Sequence, residues 1–246
     1  MPEITAETDG TIPAITASNT NVTDQAGPGV HARSRAAGVI GESTTWMGVF
    51  GESKSTTGGH GVMGLAKGSG NGVHGKTEGG GFAGFFEGKV AVTADLNVDG
   101  SVHVLGDVQL VGADLAEEFA VVGGVPIEAG HVVVLAGDDM VELSQKPYDR
   151  AVAGVVSGAG GYRPALVLDK RGTGDRRALA LSGKVWCMVD ADSDPVHPGD
   201  LLTTSSTPGH AMRASDQRRG FGAIIGKALG SLTSGRALLP VLVALH

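Results

Sequence analysis

One cysteine, Cys187, stands in 246 residues, so no intrachain disulfide framework holds this fold together. Aromatic residues are 4% of the chain, and small aliphatic side chains must therefore do most of the packing. No stretch approaches the ~20 uninterrupted apolar residues of a membrane span. The opening, MPEITAETDGTIPAIT, lacks a basic region followed by an apolar run. It reads as a chain made in the cytoplasm without a secretory signal. The net charge of −7 is spread over intermixed signs, with no lysine- or arginine-rich patch to follow a phosphate backbone. Nucleic acid is not an expected partner.

Glycine is what the chain has in excess. Its 41 copies are about 17% of the chain against a usual ~7%. Nineteen lie between Gly27 and Gly88, and their placement is a repeat. GVHARS begins at Gly29, GVIGES at Gly38, GVFGES at Gly48, GVMGLA at Gly61, GVHGKT at Gly72 and a degenerate GFAGFF at Gly81. A short unit of this kind suits a β-solenoid or fibre shaft, each copy giving one strand and one tight turn. Its glycines either adopt positive φ or let neighbouring backbones approach closely. One unit has too little apolar surface to stand alone, so three chains wound about an axis are expected to bury a stripe of Val39, Val49, Val62 and Val73.

Beyond Gly88, KVAVTADLNVDGSVHVLGDVQL alternates apolar and polar residues around Asp99-Gly100 and Gly106-Asp107, the pattern of short half-buried strands. From Ala113 onward the composition is that of a globular β domain. Strands are expected at 131–135, 140–143, 151–156, 165–168, 178–181, 184–189, 200–204, 223–228 and 238–244, punctuated by turns such as Pro198-Gly199 and Pro208-Gly209. Many short strands at this spacing predict a barrel or sandwich. Asp114–Phe119 reads as one short helix with Asp114 as its N-cap. The organisation is thus an N-terminal arm (1–28), a glycine-rich shaft (29–88), a β neck (89–112) and a C-terminal β domain (113–246). The fold class is all-β: a trimeric β-solenoid or fibre shaft followed by a β-barrel-like or β-sandwich domain.

The runs GADLAEEFAV, EAGHVVVL, SQKPYDRAVAGVVSG, ALSGKVWCMVDA, HPGDLLTTSSTPGHAM and GAIIGKAL together resemble a β domain at the C-terminus of phage tail-fibre-like and related bacterial appendage proteins. In those relatives a DYAE-like motif opens the domain and GVxGxS units precede it. The resemblance covers residues 27–246. It implies a homotrimeric, non-enzymatic fibre or tip protein of a phage-like particle or contractile injection system. It also implies a particle-associated or extracellular destination and contact with a surface glycan or receptor. The polar arm is the segment that would meet a baseplate or other particle protein. The chain is also distantly similar to self-cleaving chaperone domains of phage appendages. Leu115 stands where those show tyrosine, and no cleavage site is matched, so self-cleavage is not carried over. A self-processing or glycan-cleaving enzyme and a receptor- or glycan-binding module are the alternative classes.

Several motifs compete with that reading. GNGVHGKT (Gly70–Thr77) satisfies the phosphate-loop pattern G-x-x-x-x-G-K-[ST], but such a loop needs a strand before it and a helix after it. Here GLAKGSG precedes and EGGGFAGFF follows. The repeat unit generates the match, and no cofactor is expected. Asp190, Asp192 and Asp194 have the spacing of the first half of a calcium loop, yet Pro195 and Leu201 occupy the positions that want glycine and glutamate. They stand as calcium candidates only. His31, His60 and His74 could supply an on-axis metal in a trimer, although alternation turns His31 and His74 away from the valines. Glu117 and Glu118 are adjacent and diverge on any regular element, which makes a poor glycosidic acid–base pair. Cys187 reads as a buried apolar residue. Trp46, Phe50, Tyr148 and Tyr162 are too dispersed in sequence to define a sugar platform.

Overall fold

The computed structural model describes residues 6–7, 15–20, 28–172 and 174–244. The N-terminal arm therefore falls mostly outside the described residues. The chain divides into two compact units, Met1–Asn97 and Val98–His246. Among the described residues, none from 28 to 113 belongs to a strand or helix. The strands expected in the shaft and neck are not formed within one copy, because their backbones have no strand beside them to pair with.

In the first unit the repeat is visible as a recurring close approach. A Cβ added at Gly41, Gly51 or Gly64 would come within 2.6, 2.5 and 2.6 Å of Val49, Val62 and Val73 Cγ2. The same position in the next unit, Gly75, lies against the carbonyl of Ala83 rather than Gly81, so the degenerate unit is shifted by two residues. At Gly41, Gly51 and Gly64 the fourth position of the unit thus packs on the start of the next, and only a residue without a side chain fits there.

The second unit is almost entirely β. Its strands are β1 (Asp114–Val121), β2 (Val132–Gly137), β3 (Met140–Leu143), β4 (Val152–Val156), β5 (Pro164–Leu168), β6 (Arg176–Asp190), β7 (Leu201–Thr204), β8 (Ala211–Arg213), β9 (Ile224–Ala228) and β10 (Arg236–Val243); a single turn of helix, α1 (Gln217–Gly220), precedes β9. They form one mixed sheet in the order β10-β9-β7-β8-β6-β4-β2-β3-β1-β5, with β6 also paired to β10 and to β1. The extra pairings close two circuits of five strands that share β6. One runs β6-β4-β2-β3-β1, the other β6-β8-β7-β9-β10. Three pairings are parallel within or beside these circuits (β1 with β3, β1 with β5, β6 with β8) and the remainder antiparallel.

Each circuit has its own core. Ile127, Val133, Val141, Val156 and Leu179 cluster in the first. The larger cluster includes Val185, Cys187, Val189, Leu202, Ile225 and Val241 of the second circuit, together with Val132, Val155 and Ala180. Neighbouring residues of β2, β4 and β6 therefore feed opposite cores. Val132 pairs with Val155 and Val155 with Ala180 on one face; Val156 pairs with Leu179 on the other. This wall is buried on both sides, which explains why its strands read as apolar runs instead of alternating.

Two expectations are corrected. Asp114–Phe119 is not a helix: it is the first part of β1, paired antiparallel with β6 and parallel with β5. Ladders on both edges outweigh the modest helix propensity of Leu-Ala-Glu-Glu. Asp114 caps nothing; its side chain accepts a hydrogen bond from Ser157 Oγ at 3.0 Å. The segments 178–181 and 184–189 are one continuous strand, β6, whose pairing with β1 runs through Ser182 and Gly183 and shifts register between Ser182 and Ala180. Gly183 has φ 110°, and a Cβ there would lie 2.5 Å from Ala113 O and 2.7 Å from Asp114 Cα.

Gly183→Ala is expected to destabilise the second unit by about 2 kcal/mol or more, from strain plus backbone clash. Gly235, at φ 78° with open space around its Cβ position, gives the control. Gly235→Ala should cost only the ~1 kcal/mol of the left-handed backbone. Urea unfolding of both variants measures the difference.

Candidate functional site

The repeat surface is the first feature to place. Val39, Val49, Val62 and Val73 are 73%, 69%, 73% and 77% exposed within one copy. Ile40, Phe50, Met63, Phe82, Phe85 and Phe86 are exposed beside them in sequence. Soluble proteins rarely leave apolar side chains uncovered in such numbers, and a run of them marks an interaction surface. His31, His60 and His74 are exposed in the same stretch. GNGVHGKT has neither strand nor helix around it, and Lys76 Nζ is held by Glu78 Oε1 at 2.6 Å. Phosphate-loop geometry needs a helix N-terminus after the lysine, and none is present among the described residues near it.

The three calcium candidates are separated by their partners. Asp190 is buried; it accepts from Thr207 Oγ1 and from the Asp192 N–H at 2.9 Å, and lies 3.4 Å from Arg236 Nε. Asp192 meets the same guanidinium at 3.3 Å and accepts from Gly235 N–H at 3.1 Å. Asp194 instead accepts from Ser215 Oγ at 3.4 Å. Burial works to raise the Asp190 carboxyl, but Thr207, the Asp192 amide and the Arg236 charge together hold it below the ordinary carboxylate range. Arg236 occupies the place a cation would take between the first two carboxylates. Among the described residues no group of three or more acidic, histidine or cysteine side chains is arranged to hold a metal ion.

Glu117 and Glu118 lie on opposite faces of β1. Glu118 joins a charge network that sequence reading missed. Arg176, with 9% of its side chain exposed, reaches Asp139 Oδ2 at 3.0 Å, Asp169 Oδ2 at 3.2 Å and Glu118 Oε2 at 3.8 Å. Arg171 adds a second cation, 2.8 Å from Asp169. Its hydrogen bond with Arg176 lowers the Asp139 carboxyl. The network ties the β2–β3 turn, the β5–β6 loop and β1 to β6. Cys187 is fully buried, and burial pushes its thiol up to about 12. It is inert as a nucleophile at neutral pH.

Aromatics that are dispersed in sequence come together in the fold. Tyr162 and Trp186 have ring centroids 5.9 Å apart, and Lys184 Nζ lies 5.4 Å from the Tyr162 ring. Gly160, at φ 55°, lets the loop pass directly over Trp186. Tyr148 lies under Arg219 at 4.3 Å and its hydroxyl accepts from the Asp216 N–H at 2.9 Å. A separate open groove of about 400 Å³ is lined by Leu110, Gly112, Leu115, Ala165, Leu166 and Ser182, among others. Asp114, at its margin, is 3% exposed. Its Oδ1 has the Ser157 hydroxyl and its Oδ2 has no hydrogen-bond partner. Burial raises this carboxyl, against the lowering effect of Ser157.

The two buried aspartates should respond to pH with opposite signs. Asp114 has a raised folded value, so the folded state holds the extra proton and stability falls as pH rises above 3.8. Asp114→Asn, which keeps an oxygen for Ser157, should raise Tm at pH 7.5, with the gain closing below pH 4. Asp190 has a lowered value, so its contribution is present above 3.8 and lost as pH falls. Asp190→Asn should lower Tm at pH 7.5 and converge on the unsubstituted protein in acid. Thermal unfolding across pH tests both.

No family model and no curated protein matches the sequence. Among solved structures, the N base of the head fibre protein gp8.5 of bacteriophage phi29 aligns over 54% of this chain and 90% of its own, at 16% identity and a TM-score of 0.25. Among the described residues no helix is long and apolar enough to cross a membrane.

Proposed function

We propose that this chain is a non-enzymatic structural subunit of a phage-like fibre or contractile injection system, assembled as a homotrimer through residues 29–112. The observation that carries the reading is the exposed valine stripe on units whose backbones already pack as closely as glycine allows. One copy cannot cover those valines. Three chains about an axis would contribute one valine each per layer, and burial of a valine is worth about 1.5 kcal/mol or more. In that arrangement the glycines permit close winding and the strands absent from a single copy gain partners. The β domain that follows acts as the terminal element that registers the three chains. The polar arm, residues 1–28, is the segment for attachment to a baseplate or other particle protein, which would make the protein particle-associated or extracellular.

Intact-mass measurement on freshly made protein should give all 246 residues; a shorter product would favour self-processing. A receptor- or glycan-binding role is the second reading, favoured by the Tyr162–Trp186 pair beside Lys184, since an aromatic face with a polar neighbour suits a sugar ring. A glycan array that stays blank while the protein assembles would remove it.

Sedimentation velocity of the full chain should give three times 24.7 kDa. Val49→Asp with Val62→Asp should yield monomers that keep the far-ultraviolet signature of the β domain. A monomeric unsubstituted protein at micromolar concentration overturns the fibre reading.

A further inference from the structure

The β domain closes nearly all of its own edges, and the exception is specific. Among the described residues β5 alone has a single partner strand: it pairs with β1 and its other edge is open. Natural proteins blunt such an edge with lysine, a bulge or a covering loop. β5 begins with proline and its ladder to β1 shifts register at Ala165, but Leu166, Val167 and Leu168 run on without a further device of this kind. Its sequence is Pro-Ala-Leu-Val-Leu, without charge, and Leu166 and Leu168 are 48% and 40% exposed. Leu166 pairs with Leu115 across the ladder to β1. Both line the open groove already described, with Ala165 and Leu110. An apolar open edge next to an apolar groove is a site for strand addition.

The same chain contains a strand without a partner. Residues 101–111 alternate with period two, Val102, Val104, Val108 and Leu110 falling on one face. All four are exposed, and none of the segment is in a strand. The segment reaches the domain beside β5: the Ala113 N–H donates to Arg163 O at 2.9 Å, and Gly112 packs on Ala165. Each copy thus displays an unfilled edge and an unpaired strand within the same unit, and does not join them itself. A head-to-tail contact between copies would satisfy both, and such a contact closes when the rotation between copies returns to the start.

We propose that residues 101–111 of a second copy of this chain add to the open edge of β5, seating their even-numbered apolar side chains in the groove of Leu115, Ala165 and Leu166. This rests on the self-association reading above and names the surface by which the β domain takes part. The added strand satisfies the exposed backbone groups of β5, covers Leu166 and Leu168, and fixes the register of one copy against the next.

The test uses full-length chains carrying two different tags and expressed together. One carries Leu168→Cys; the other carries, in turn, Val102→Cys, Val104→Cys or Val108→Cys, the positions that share the groove face with Leu168. The native Cys187 is buried and unreactive, so it does not compete. After mild oxidation, at least one combination is expected to give a disulfide joining the two tags on a non-reducing gel. A trimer in sedimentation with no mixed-tag disulfide in any combination overturns the strand addition and leaves the fibre reading standing. A doubly substituted chain that cross-links only within itself also overturns it, by showing that each copy fills its own edge. A monomer in sedimentation with no mixed-tag disulfide overturns both. Amide exchange gives an independent readout. Leu166→Lys should speed exchange across residues 164–168 and 101–111 together by about tenfold or more. Unchanged exchange in both segments would count against the pairing even if a disulfide had been trapped.

Discussion

The β domain depends on one strand keeping its hydrogen bonds while its partners change. Along one edge β6 pairs with β1 from Arg176 to Gly183 and with β10 from Gly183 to Asp190. Along the other it meets β4 at Leu179 and Ala180 and β8 at Val189. The first half of the strand therefore belongs to one circuit and the second half to the other, with Gly183 at the exchange. Two strands converge on that residue, and the carbonyl of Ala113 and the Cα of Asp114 occupy the space a side chain would need. A residue with a Cβ would push β1 away and open the first circuit where it closes. Fifteen residues in one strand are long for a globular protein, and the length is what allows two cores to share a single backbone.

That sharing sets the composition. The wall of β2, β4 and β6 has a core on each face, so consecutive residues such as Val132 and Val133, or Leu179 and Ala180, must all be apolar. Large aromatics at consecutive positions on such a wall would have to be fitted into two separate cores. Valine and alanine fit more readily, and their β-branching or small size favours the pleated backbone. Of the aromatics in this domain, Phe119 packs at the margin of the first core, while Tyr162 and Trp186 pair away from the two core clusters. Buried Asp190 is held by Thr207, the Asp192 amide and Arg236, so that the cost of removing it from water is offset locally.

How much of this could be read from sequence follows from which contacts are local. β3 was legible to the residue because Met-Val-Glu-Leu sits between two turns. β6 reads as two strands because Ser182-Gly183 looks like a turn, and only the ladders to β1 and β10 carry the strand through it. DLAEEF was read as a helix because six residues of propensity carry no information about two waiting edges. β8 is three residues long and has no signal of its own. The Tyr162–Trp186 pair and the Arg236 clasp on Asp190 and Asp192 join positions far apart in the chain, so composition and spacing could not bring them together. The repeat was legible as a pattern, and its two explanations for glycine were left open. The close approaches at Gly41, Gly51 and Gly64 decide for the second, since positive φ in that region falls only at Gly58 and Gly88, outside the unit positions. Within the phosphate-loop match at Gly70–Thr77, Gly72 and Gly75 make close approaches of the same kind, to Gly64 and Ala83.

The two parts of the chain differ in where their backbone hydrogen bonds can be made. The β domain pairs its strands with its own strands, so its formation is unimolecular and independent of concentration. Residues 28–113 have no ladder within one copy and leave their valines in water, so any regular structure they gain must come from other chains and must depend on concentration. Loop-closure entropy adds to this difference. In the proposed trimer, three β domains held together would bring each further repeat unit to its neighbours at a high effective concentration, and short units with contacts only to adjacent units could add one after another. Without that anchor, each unit would have to meet two others from dilute solution for a gain of only a few kcal/mol. A sequence of weak, nearly identical units is therefore a workable shaft only when a self-sufficient domain sits at its end.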